Sequence, residues 1–299
     1  MKSSGYLLSI FRSRTLGQVA LMAAAVGVYS ILPVWKEESQ YHGIADAPSQ
    51  IHAALTLVLG WLLVFRTNTA YARWWEARTL WGALVNASRN LAAKFSMLVK
   101  LPDHHLAAAR RDIISFPYVL RDHLREGAEL GTLEGYEDSE QTSGHVPGFL
   151  VAQRYRAMRI WKSNHWIDGD EMRVIDHDLS RLLDICGGCE RIRNTRIVGS
   201  YRMFARQCVL LFLLTLPWGI VNDFGWWTIP LTTITAYFML GLEVVAEHVE
   251  EPFGCDEDDL DLDGLCDTIA RTVQEIMDVK PGMTEPPTAG HETPPAFRS

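Results

Sequence analysis

The chain has 299 residues, a formal net charge of -8 and 48% hydrophobic residues. That acidic balance excludes a general nucleic-acid binder, whose electrostatic footprint is basic. The 5 Cys are odd in number and scattered, so no disulfide framework is implied and a reducing setting fits most of the chain. The 10 Trp are many for this length, and Trp favours membrane interfaces, where part of the ring is wet and part is not.

Four apolar stretches stand among charge-rich ones: Gly17 to Trp35, Ile51 to Phe65, Met203 to Val221 and Trp226 to Ala246. A membrane span takes about 20 apolar residues, within a range of about 17 to 25. The first, third and fourth have that length. The second is short, so it leans on protein neighbours rather than lipid. Pro33, Pro217 and Pro230 fall in or near these spans, where neighbouring helices can satisfy the freed carbonyls.

Lys2, Arg12 and Arg14 precede the first span. The alternative is a secretory signal peptide, but the basic lead-in is long and no small-residue cleavage site follows. Lys and Arg gather on the cytoplasmic side. Arg66, Arg73, Arg78, Arg89, Lys94 and Lys100 follow span two, and Arg191, Arg193, Arg196, Arg202 and Arg206 precede span three. The turn "NDFGWW" has no basic residue. Both termini are therefore expected in the cytoplasm.

From Trp74 to Gly199 the chain reads as a soluble helical region with almost no strand signal. "LWGALVNASRNLAAKFSMLVK" has helical periodicity, with Leu80, Leu84, Leu91 and Phe95 near one face. "RRDIISFPYVLRDHLREG" reads as a helix interrupted near Pro117, and "LEGYEDSEQTSGHVPG" as a loop. "GFLVAQRYRAMRIWKSNHWI" and "DEMRVIDHDLSRLLDICGGCERIRNT" read as two more helices, the second ending near Gly187 and Gly188. The stretch after Lys280 is Pro-rich and reads as a disordered tail over 280–299.

The short second span holds one more signal. Leu57, Trp61 and Phe65 are spaced by four, so they stack along one helical face with about 40° of drift per step. The ordinary reading of such a stripe is helix packing.

"FRTNTAYARWWEARTLWGALVNASRNLA", "CERIRNT" and "EEPFGCDEDDLDLDGLC" together resemble the bestrophin family, in its bacterial branch. The similarity covers nearly the whole chain, from span one to about Met277. The resemblance implies an all-α membrane protein with four transmembrane helices and a cytoplasmic helical region, assembled as a homopentamer around one pore. On that basis residues 1–279 form a single channel unit. Its membrane part is about 15–72 and 203–250, and its cytoplasmic part about 73–202 and 251–279.

Counting back from Arg73, Trp74 and Trp75, the family's hydrophobic neck falls on Leu57, Trp61 and Phe65. Trp61 is larger than the Ile or Phe usual at the middle position, which narrows the ring. A hydrophobic ring gates by dewetting. Further carry-overs follow. Glu243 needs a partner within the membrane, and Arg66 or Arg73 is expected to supply it. Glu247 and Glu250 are either paired or wetted at the interface. The family's lower constriction falls near Asp170. In animal members the acidic segment holds Ca²⁺. By position its side-chain ligands would be Glu251, Cys255, Asp256 and Asp259, although a thiol is a poor Ca²⁺ ligand. A solvated acidic run or a salt-bridged segment are the alternatives. Cys186 and Cys189 form a C-x-x-C without the second pair or nearby His of a zinc site.

The expected function is conduction of small monovalent ions. Animal members chiefly pass anions, while the charge of -8 would favour cations near the pore. Expected partners are further copies of the chain, the bilayer and the permeant ion. The alternative is a membrane-anchored scaffold for a cytoplasmic protein. No nucleophile with a base, phosphate loop or HExxH supports an enzyme.

Overall fold

The computed structural model describes residues 14–41, 48–132, 135–136, 144–256 and 258–279. Among these residues the regular structure is helical and no strand occurs, as the sequence predicts. The helices are α1 (Arg14–Tyr29), α2 (Ile31–Glu38), α3 (Ser49–Met97), α4 (Asp103–Leu124), α5 (Val146–Ser163), α6 (Gly169–Asn194), α7 (Gly199–Phe224), α8 (Thr228–Glu250) and α9 (Leu262–Asp278). Most of the expected loop near 133–143 and the tail from Lys280 lie outside the described residues.

Three boundaries differ from the sequence expectation, each for a local reason. The first span breaks at Ser30 rather than running through to Trp35. Pro33 sits in the first turn of α2, and its ring would collide with the carbonyl four residues back, at Tyr29. The second span runs on from its apolar into its polar part without a break, as its helical character predicts, and is one element, α3, of 49 residues. Pro48 lies just before it and Pro102 just after, and no Pro falls between. Pro117 does not interrupt α4, because Ile113, Phe116 and Leu120 are buried and hold the helix on its core. The Gly187–Gly188 pair does not end α6. A Cβ on Gly188 would come within 2.9 Å of Leu80 Cδ1, so glycine here marks a close helix approach.

The chain forms two compact units: Met1–Ala77 with Ile192–Leu260, and Arg78–Arg191 with Asp261–Ser299. In the first unit α1 and α7 pack on α8, and α2 packs on α7. Its core joins Ala23, Leu59, Leu63, Val209, Phe212, Leu213, Leu216, Ala236 and Met239. Gly225, at φ 50, turns the chain between α7 and α8. The segments Thr15–Glu38, Ser49–Met97 and Gly199–Glu250 are long and apolar enough to cross a membrane, the last containing both α7 and α8. At about 1.5 Å per residue α3 is over twice as long as the ~30 Å hydrocarbon core, so its second half projects beyond it.

In the second unit Trp81, Leu84, Leu91 and Phe95 of α3 are buried with Phe116, Leu150, Met158, Trp161 and Ile175, while Leu80 is only partly so. Phe95 meets Trp161 edge to face at 5.7 Å. Helix α4 packs between α5 and α9.

Gly27 shows how tightly the membrane helices approach. A Cβ there would lie 2.1 Å from Thr233 Oγ1. Small residues allow such contacts between membrane helices. Gly27→Ala is expected to destabilise the protein by about 1–3 kcal/mol through overpacking. Adding Thr233→Ala removes the offending hydroxyl and should restore most of the lost melting temperature in detergent. Equal melting of Gly27→Ala and the parent would contradict the close approach.

Candidate functional site

Helix α3 has two faces in its apolar half. Leu59, Leu63, Arg66 and Ala70 follow one another at helical spacing and are buried in their own subunit. Leu57, Trp61 and Phe65 lie on the other side and are 66%, 63% and 57% exposed. The Trp61 and Phe65 rings touch, with centroids 5.9 Å apart. The exposed stripe continues through Asn68, Ala72 and Glu76. One strip of surface thus passes from bulky apolar to polar without a break in the helix.

Arg66 is fully buried, with its Nε 2.7 Å from Glu243 Oε2. None of its guanidinium nitrogens makes a hydrogen bond among the described residues, so the attraction is Coulombic. The other Glu243 oxygen accepts from Arg206 Nε at 3.1 Å. Arg206 also pairs with Glu247. Arg66, Glu243, Arg206 and Glu247 therefore form an alternating ladder whose charges cancel. The expected Arg66–Glu243 contact is present, and Arg206 is a second partner that the sequence reading missed. Its signal was there: Arg206 is a lone cation within an apolar run, which itself calls for a counter-charge.

Arg73 does not join this ladder, contrary to one of the two expected pairings. Its guanidinium donates to the carbonyls of Ile192 at 2.5 Å, of Thr195, and of Glu250 at 3.2 Å. Those carbonyls lie at the ends of α6 and α8, where helices leave acceptors unused. The buried Glu250 carboxylate accepts the Ile197 amide at 3.0 Å, so it is neither an interfacial charge nor a pore group. Trp74 Nε1 donates to the Asp258 carbonyl at 3.3 Å. The three sequence-distant motifs, Arg-Trp-Trp, "CERIRNT" and "EEPFG", are thus joined by one arginine fork and its neighbours.

The acidic segment does not form a Ca²⁺ cradle. Glu251 pairs with Arg196 at 2.9 Å. Asp259 Oδ2 turns inward to accept the Asp256 amide at 2.6 Å, and burial raises the Asp259 carboxyl above its ordinary range. Cys255 is exposed. Among the described residues these carboxylates are not gathered round a common point. Two of the expected ligands are spent on internal contacts, which matches the salt-bridged alternative.

Asp170 lies in the first turn of α6 and pairs with Arg173. That turn is fixed by a capping box, in which Asp168 Oδ1 accepts the Glu171 amide and Glu171 Oε2 accepts the Asp168 amide. Cys186 and Cys189 are both buried inside α6. Burial pushes the Cys186 thiol up to about 12, which leaves no reactive thiolate. Nearby, His123 and His145 both reach Glu190 Oε1, at 2.6 and 3.0 Å. His145 Nδ1 accepts the Gly148 amide at 2.9 Å. The trio links α4, the start of α5 and α6, and its three ligand-type atoms lie within 4.8 Å of one another.

A sequence profile of the family described as Bacterial/Fungal Bestrophin protein matches residues 2–275. A voltage-dependent anion channel-forming protein of Nostoc sp. is 31% identical over 76% of this chain and 77% of its own length. One of Mesorhizobium japonicum is 33% identical over 73% and 72%. The protein YneE of Escherichia coli K12, of the same description, is 32% identical over 77% and 76%. Among solved structures, a bacterial bestrophin homolog from Klebsiella pneumoniae superposes with a TM-score of 0.77 at 25% identity, covering 87% of this chain and 97% of that one.

Proposed function

The chain belongs to the bacterial/fungal bestrophin family, and we propose that it works as an ion channel, with several copies arranged around one conduit. The finer reading is a homopentamer in a bacterial inner membrane, with α1–α2, the apolar half of α3, α7 and α8 as its spans. Both termini face the cytoplasm, on the distribution of Lys and Arg.

The observation that carries this reading is the surface of α3. A stripe that passes from bulky apolar to polar along one line fits a conduit leaving a bilayer, and the family match favours that over a lipid-facing surface. Leu57, Trp61 and Phe65 then form a dry neck, and Asn68 and Glu76 line its wetter continuation. The shortness of the apolar half fits as well, because a helix that meets its own copies round water is not bound by bilayer thickness. Arg66 faces away from the stripe into its own subunit, so its charge leaves the neck uncharged. Asp170, whose charge Arg173 offsets, is not needed for this reading.

An uncharged neck permits ions of either sign. The relatives are named for anions, while the net charge of -8 favours cations on approach to the neck. The test is purified protein in planar bilayers under a NaCl gradient. Unitary currents are expected. A reversal potential at the chloride equilibrium value assigns anions, and one at the sodium value assigns cations. Silent bilayers, with protein shown to be inserted, would remove the channel reading.

A further inference from the structure

Helix α5 carries four cationic residues, Arg154, Arg156, Arg159 and Lys162, and they divide into two sets. Arg154 is largely buried, with Nε 2.8 Å from Asp112 Oδ2 and its guanidinium 5.9 Å over the Trp161 ring. It ties the helix to its own unit. Arg156, Arg159 and Lys162 stand on the opposite, exposed side and make no ion pair or hydrogen bond among the described residues. In the same unit Arg110, Arg121, Arg125 and Arg173 each hold an aspartate. Asp176 of α6 is engaged by the Tyr155 hydroxyl at 2.7 Å.

The three free cations line a groove of about 1130 Å³, floored by Ala152, Ile160 and Met172. Lys162 also borders a second hollow of about 540 Å³ that adds Lys100, His165 and Trp166. His165 is the one non-glycine residue at positive φ among those described, at 57°, so the chain bears a strained turn where it leaves α5. A chain of net charge -8 therefore concentrates uncommitted positive charge in one concavity.

The spacing indicates what would fill it. Arg156, Arg159 and Lys162 are three residues apart, so the set extends about 9 Å along the helix axis. A single orthophosphate cannot meet all three, whereas linked phosphates can. Guanidinium forks match phosphate oxygens in pairs, and the Lys ammonium adds a point charge. Asp168 and Glu171 border the second hollow and would oppose any anion there, so the larger groove is the part suited to phosphates.

We propose that this face of α5 is a binding site for a compound bearing two or more linked or neighbouring phosphates, either a soluble polyphosphate or the headgroup of a phosphorylated lipid. The site is independent of the conduction reading, since it uses no residue of the α3 stripe or of the charge ladder.

The test is calorimetry on the full-length protein in neutral detergent at about 0.1 M salt, where charges more than ~10 Å apart are screened and close phosphate contacts persist. The probes are sodium tripolyphosphate, orthophosphate, ATP and a short-chain phosphatylinositol bisphosphate. Saturable binding of tripolyphosphate or ATP, with orthophosphate at least tenfold weaker, supports the proposal with a soluble ligand. Binding of the phosphoinositide alone supports it with a lipid source. Arg156→Glu with Arg159→Glu should weaken the winning probe at least tenfold and leave the ligand-free melting temperature unchanged, because neither side chain has a partner to lose. No saturable binding of any multiply phosphorylated probe, or binding unaltered by the double charge reversal, would overturn it.

Discussion

Trp61→Ala is expected to raise single-channel conductance on the order of tenfold, because a hydrophobic neck conducts only when it is wide enough to wet. Trp61 is the bulkiest member of the exposed stripe and touches Phe65 in the same subunit. Copies related by rotation about a pore would bring these rings together on the axis. Truncation removes the indoles at once from every subunit, so a modest change per chain acts several times over. Leu57→Asn separates wetting from width. It keeps the branched shape and the number of side-chain heavy atoms but gives the wall hydrogen-bonding groups, so a rise in conductance there larger than that of Leu57→Val reports dewetting. Phe238→Ala, on the exposed face of α8, is the control: it removes a large apolar side chain of similar exposure and should leave conductance as it was. If Trp61→Ala and Phe238→Ala conduct alike in assembled protein, the stripe faces lipid or another helix, and the pore lies elsewhere.

The sequence made the helical class legible because nothing in it alternates with strand period, while long apolar runs and four-residue spacings recur. It also singled out Leu57, Trp61 and Phe65 as one face, and they do share an exposed face. What it could not supply was distance between motifs. Arg73 looked like a counter-ion for Glu243 because both lie near the same membrane boundary. Its actual acceptors are carbonyls of Ile192, Thr195 and Glu250, and backbone acceptors have no residue type to betray them. The acidic run failed differently. The resemblance to animal members suggested a cation site there, but burial and local amide contacts commit Asp259, and Arg196 commits Glu251. Helix ends were misread wherever a breaker residue was tolerated. Gly188 survives inside α6 because Leu80 needs its space, and Pro117 survives inside α4 because its neighbours are buried. In both cases tertiary packing outweighs local propensity.

The second large effect is expected at the ladder. Arg66 is fully buried, and Glu243 nearly so. Removing one member of a buried pair strands the other charge and typically costs about 3–5 kcal/mol, and an unpaired charge at the centre of a membrane helix costs a comparable ~2.5–3.5 kcal/mol. Glu243→Gln leaves Arg66 and Arg206 facing an amide, with only Glu247 to balance two cations. Arg66→Met leaves two carboxylates sharing Arg206. Each should lower the melting temperature in nanodiscs sharply. The double replacement Arg66→Met with Glu243→Met should recover more than half of that loss. It removes one charge of each sign, leaves Arg206 paired with Glu247, and fills the site with apolar atoms where Arg66 had no hydrogen bonds to forfeit. Recovery in the double variant identifies the penalty as stranded charge. If the double variant is instead no more stable than the worse single one, Arg66 holds the first unit together by its shape and packing, and the charge ladder is incidental.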